Sequence, residues 1–282
     1  MRTLDADLVL DAHAEVGEGP LWDADGGVLR WVDIPAGLVY GGDDQPVSMG
    51  RAVGFVVPRA GGGFVVGAVG GLYDLASGAL VVPLGADEPG TRLNDGKCDG
   101  AGRVWAGVMD DGAAPGAGRL VCVEADGSVA VRLDGLTIPN GLDWSLDGRT
   151  MYYVDSPTHR IDAFDFDPGT GEMTGRRPWV TVPDEVLPDG LTVDSEGAVW
   201  VALWGGGAVH RYTADGALDT VVRVPVSQAA SCAFGGPGLD VLYITTAAAG
   251  LSPEALAAEP HAGGVFACTP GPVGRPAHPY AG

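Results

Sequence analysis

Four side chains share one register of a repeating pattern. Glu18, Asn94, Asn140 and Asp189 each lie eight residues before a turn glycine: Gly26, Gly102, Gly148 and Gly197. Two carboxylates and two carboxamides make an all-oxygen donor set of about −2 charge, which suits a hard divalent cation. Ca²⁺ is expected first, then Mg²⁺; Mn²⁺, Fe²⁺ and Zn²⁺ stay open, because ligand type alone does not separate them. Water or substrate would take the remaining positions. Asn and Asp also begin strands simply as turn formers. That accounts for one or two of the four, but neither for Glu18 nor for the common register.

Such a set works only if distant segments meet. The four copies read EGPLWDADGGVLRWVDI, NDGKCDGAGRVWAGVMD, NGLDWSLDGRTMYYVDS and DGLTVDSEGAVWVALWG, and weaker ones start at Gly54 and Ala230. Each is a hairpin: a short apolar strand, a turn bearing glycine or an acid, then a strand of alternating apolar residues. Further short strands follow, as in GRLVCVEADGSVAVRL and AVHRYTADGALDTVVRV. About four strands per unit, at intervals of roughly 35 to 50 residues, is the propeller range. Six units predict an all-β fold, a six-bladed β-propeller filling residues 1–282 as one domain. The leading LDADLVLDA should close the last sheet beside GGVFACTPG. Innermost strands line a propeller's channel, so the four oxygens would converge near its mouth. A β-sandwich would not require similar turns at blade-like intervals.

Composition narrows the partners. Hydrophobic residues make up 46% and charged residues 19%, enough for a folded core. The 47 glycines and 21 prolines are scattered, as many hairpins require. A net charge of −21 repels phosphate backbones and anionic lipid, so neither nucleic acid nor membrane is an expected partner. Acids near the N-terminus, in MRTLDADLVLDA, stand where a signal peptide needs an apolar run, and a cytoplasmic location is expected. Cys98, Cys122, Cys232 and Cys268 are far apart and read as reduced, mostly buried thiols. The five histidines form no HExxH, and the chain has neither GxSxG nor a P-loop. His159 falls in a tight turn and reads as structural.

The chain resembles the senescence marker protein/regucalcin/gluconolactonase family in an ordered set of motifs. These are GEGPLW (17–22), RLNDGK (92–97), IPNGLDWS (138–145), DSPTHRIDAFDFD (155–167), PDGLTVD (188–194) and SCAFGG (231–236). The resemblance implies a six-bladed propeller holding one divalent ion, with Glu18, Asn140 and Asp189 as its direct ligands. It places Asn94 beside the ion or bound through water, and has Arg92 and Asn94 contact substrate hydroxyls. The family includes sugar-lactone hydrolases, and related propellers hydrolyse organophosphates. The segment Asp110 to Gly118 departs from the family pattern, which leaves specificity open.

The expected reaction is therefore hydrolysis of a small lactone, a cyclic ester that needs a polarised carbonyl and an activated water. Asp189 is the candidate general base, with a purely ligating role as the alternative. Arg92 offers forked donors to ring oxygens or hydroxyls, unless it only pairs with a surface acid. Two other functions compete: a phosphotriesterase using the same ion, and a non-catalytic calcium-binding propeller. Oligomeric state is not legible in the sequence.

Overall fold

The computed structural model describes residues 1–41, 45–85 and 88–282. Its strands form six small sheets, and four strands in sequence order build the core of each, apart from the contributions of the N-terminal segment. The innermost strands are Gly17–Asp23, Val53–Pro58, Thr91–Cys98, Pro139–Trp144, Leu187–Val193 and Ala229–Gly235. Each touches the innermost strands of the sheets before and after it, and the last touches the first. The result is a six-bladed β-propeller, blades 1 to 6 in chain order.

The alternating apolar residues of each blade pack against the next blade. Among the described residues, six apolar clusters fill the seams, one per seam. The closing seam between blades 6 and 1 has the smallest, Ala14, Trp31 and Val265, with Trp31 stacked on Tyr40 at 3.9 Å between ring centroids.

The leading segment reinforces that closure in a way the sequence only half anticipates. Asp7–Leu10 pairs antiparallel with Val265–Cys268 in blade 6, as expected. Arg2–Asp5 instead runs parallel to Leu218–Arg223, as a fifth strand of blade 5. The chain crosses at Ala6, whose N–H donates to the Arg223 carbonyl, and Asp5 pairs with the Arg223 guanidinium at 2.7 Å. One short segment thus spans two blades.

Turn geometry follows the same logic. Gly102, Gly148 and Gly197 hold positive φ of 81°, 68° and 85°, which only glycine adopts at little strain. In blade 1 that conformation falls on Gly27, at 65°, and not on the aligned Gly26, whose N–H instead donates to the Asp23 carboxylate. Asp99 and Asp194 each brace their own hairpin, taking backbone N–H groups of the turn and a tryptophan Nε1, from Trp105 and Trp200, at 2.9 Å. All four cysteines are free; Cys98, Cys122 and Cys232 are buried and Cys268 is partly so. No helix among the described residues is long and apolar enough to cross a membrane.

Candidate metal centre and active site

In all six innermost strands the pairing with the second strand slips beside one position, the position marked by Glu18, Asn94, Asn140 and Asp189. Such bulges re-aim a side chain away from the normal alternation. Here they accompany side chains that meet across blades, Glu18, Asn140 and Asp189 lying near one another. Blades 2 and 6 place Gly54 and Ala230 there. Gly54 is required by proximity: a Cβ on it would sit 2.0 Å from the Asn94 carbonyl oxygen. Gly141 and Gly190, each following a ring residue, allow equally close approach, to the Asp189 carbonyl and to Ser231.

The ring is dry. Glu18, Asn140 and Asp189 are each only 5% exposed, and Asn94 is 6%. The Asp189 carboxyl lies close to Glu18 and to the Asn140 carboxamide. The Glu18 Oε2 accepts from the Gly19 N–H at 2.9 Å. The Oδ1 atoms of Asn140 and Asp189, on adjacent blades, are fully buried and have no hydrogen-bond partner. Orphaned buried oxygens carry a desolvation cost of about 1–3 kcal/mol each, and a native fold keeps them only for a reason.

Electrostatics agree with the geometry. Burial, followed by the negative charges of Asp189 and Asp95, pushes the Glu18 carboxyl well above its ordinary value. Burial and Asp95 do the same to Asp189. Adjacent buried carboxylates cannot both ionise without a positive charge among them. A divalent cation would supply that charge and take up the two orphaned oxygens, so the donor set fits such an ion. Among the described residues there is no group of three or more His, Cys, Asp or Glu side chains that could hold a metal. Any cation on this ring would depend on the carboxamide of Asn140 as well as on the two acids.

The two asparagines, alike in the sequence, differ in the fold. Arg92 Nη1 donates to Asn94 Oδ1 at 2.6 Å, and Asn94 Nδ2 donates to the Pro139 carbonyl at 2.9 Å. Both polar atoms of Asn94 are engaged, and the four-oxygen set read from register reduces to three open donors beside an Arg92–Asn94 pair. Arg92 itself is largely buried, which lowers its pKa, while Asp111 and then Glu18 and Asp189 act to raise it. Asp111 lies in the divergent 110–118 segment, where Asp110 caps its own loop through Gly112 and Ala114. His159 is structural as expected: it ends a one-turn 3₁₀ helix, Ser156–Thr158, at φ 52°, and its Nδ1 lies 2.8 Å from the Val186 carbonyl oxygen.

Three residues further along the same strands lies a second layer that register could have revealed and motif reading passed over. Asp143 is buried, and its carboxylate accepts from Lys97 at 3.2 Å, Arg275 at 2.9 Å and the N–H groups of Trp144 and Val193. Burial pushes Asp143 up, but Lys97, Arg275 and these donors outweigh it and hold the carboxyl below its ordinary value. A cavity of about 850 Å³ opens at this end of the channel, lined by Asp95, Lys97, Asp143 and the C-terminal segment 275–279. None of the four ring residues lines it.

The fold and the buried oxygens that its innermost strands gather define the class as a channel-centred six-bladed propeller. Residues 16–248 match the model of the SMP-30/Gluconolactonase/LRE-like region, and the chain belongs to that family. Regucalcin of Sus scrofa is 37% identical, with both chains covered in full. Among solved structures, a calcium-binding protein, regucalcin, from Agrobacterium tumefaciens superposes with TM-score 0.93 at 29% identity, covering 99% of each chain. A luciferin-regenerating enzyme superposes with TM-score 0.89 at 31% identity, covering 98% of this chain and 99% of the other.

Proposed function

We propose that the protein is a divalent-cation-dependent lactonase that opens a small, sugar-derived lactone. The observation that carries this reading is the pair of buried, unpartnered oxygens on Asn140 and Asp189 beside the Glu18 carboxylate. Membership of a family that includes gluconolactonases supports the reaction class. The calcium-binding description of the Agrobacterium relative makes Ca²⁺ the first ion to test.

Glu18, Asn140 and Asp189 would hold the ion. When bound, a divalent cation supplies Lewis acidity toward the ester carbonyl and charge complementary to the developing oxyanion. Asp189 also takes the proton of the attacking water, as a carboxylate beside the reacting centre can. Arg92 keeps Nε and Nη2 for substrate, since Nη1 serves Asn94 and the Leu93 carbonyl. Asn94, fixed at both ends, positions that guanidinium against the substrate hydroxyls. The low exposure of the ring excludes bulk water and strengthens each of these interactions.

The test is hydrolysis of a panel of aldonolactones by chelator-stripped protein, with and without Ca²⁺, Mg²⁺, Mn²⁺ or Zn²⁺. Turnover that appears only with added ion supports the reading. Undiminished turnover in chelator removes the ion from the reaction. Ion binding with no turnover of any lactone or organophosphate leaves a binding propeller instead of an enzyme.

A further inference from the structure

Asn140 can serve a cation through only one end of its carboxamide. Turned over, the same side chain presents two N–H groups, which repel a positive ion. Its shape is nearly symmetric about that flip, so a neighbour must choose. The only side-chain bond made by Asn140 among the described residues is from Nδ2 to Ser156 Oγ, at 3.1 Å.

Ser156 is well placed for the task. It is 3% exposed, so no bulk water competes for the amide. Its N–H donates to the Ile138 carbonyl and its own carbonyl accepts from the His159 N–H, both at 3.1 Å. The preceding Asp155 carboxylate takes the N–H groups of Thr137 and Ile138, at 3.1 and 2.8 Å. His159 then fastens the turn to blade 5 through the Val186 carbonyl, just ahead of Asp189. The hydroxyl is thus fixed relative to both strands that carry the orphaned oxygens. Asp189, within reach of the same carboxamide, would otherwise draw the N–H groups inward.

We propose that Ser156 is the positioning residue that turns the Asn140 oxygen toward the ion, an inference that rests on the cation-binding reading above. Partners of this kind, one step removed from the ion, typically change affinity by about 10- to 100-fold.

The experiment is a double-mutant cycle read by Ca²⁺ titration calorimetry. Ser156→Ala should weaken Ca²⁺ binding about tenfold. On an Asn140→Asp background the same change should cost less than about twofold, because the two oxygens of a carboxylate are equivalent and need no orientation. Ser156→Thr, which keeps a hydroxyl, should restore most of the affinity. Equal losses on both backgrounds would show that Ser156 only supports the local fold and would overturn the proposal. If the parent protein binds no divalent ion, the cation reading fails by itself, and side-chain amide exchange of ion-free protein decides the Ser156 question. Faster exchange of the Asn140 amide in Ser156→Ala sustains the hydrogen-bond role, and unchanged exchange ends it.

Discussion

Two layers of one channel, three residues apart on the same strands, treat buried charge in opposite ways. In the layer that faces the cavity the Asp143 carboxylate meets Lys97, Arg275 and two backbone donors, and both of its oxygens are bonded. In the ring layer Glu18 and Asp189 lie together, and the Oδ1 atoms of Asp189 and Asn140 have no donor. A propeller core therefore does not exclude buried acids; it demands that each be answered. Where the chain answers from within, the layer ties blades 3, 4 and 5 to the C-terminal segment. Where it leaves the answer out, two buried oxygens stay without a donor, which is the feature the proposed cation site rests on.

That contrast can be broken most directly at Asp189. Asp189→Ala should lower lactone turnover by at least about 10³-fold, as loss of an ion ligand and base requires. Circular dichroism should show an unchanged β fold. Turnover at the parent rate would place the chemistry elsewhere.

The matching change in the Asp143 layer should do the reverse. Asp143→Ala strands Lys97 and Arg275 without their partner, and breaking a buried pair costs about 3 kcal/mol when its members partly reach solvent. Urea denaturation should show that loss while Ca²⁺ affinity stays within about threefold. A large fall in affinity with unchanged stability would mean that the layers are not separable.

Asn94→Ala tests the distinction within the ring layer. Because both polar ends of Asn94 are engaged by Arg92 and Pro139, kcat should fall about 10- to 100-fold with little change in Ca²⁺ affinity. Asn140→Ala should lose affinity as well. Matching losses of affinity in the two variants would return Asn94 to the ligand set.

The smallest expected effect lies in the pH dependence of stability. The Asp143 carboxyl is held below its unfolded value of about 3.9. Its contribution is therefore complete above that value and is lost as pH falls through the folded one. Between pH 5 and 3, parent protein should lose urea midpoint more steeply than Asp143→Asn. Parallel curves would show that the pairing does not contribute.

How much of this was legible beforehand follows from what each feature depends on. Hairpin periodicity is local, since it needs only short apolar runs and turn glycines, and it disclosed six blades and the register of Glu18, Asn94, Asn140 and Asp189. The same register, read three residues further, pointed at Lys97 and Asp143, but nothing in the strand pattern marks a salt bridge. The role of Arg275 was out of reach, because it reaches Asp143 from 132 positions away. The parallel pairing of Arg2–Asp5 with blade 5 was hidden for a similar reason: two edges were open to one polar segment.

The sequence by itself determined the architecture, the acidity and the oxygen character of the ring, because composition and period are properties of the chain. Only the tertiary structure decided that Asn94 is engaged while Asn140 is open, since the two residues are chemically identical. Their difference lies in the neighbours that folding brings, an arginine for one and a serine for the other. A hydrogen bond takes its partner from three-dimensional proximity, and no local spacing encodes that.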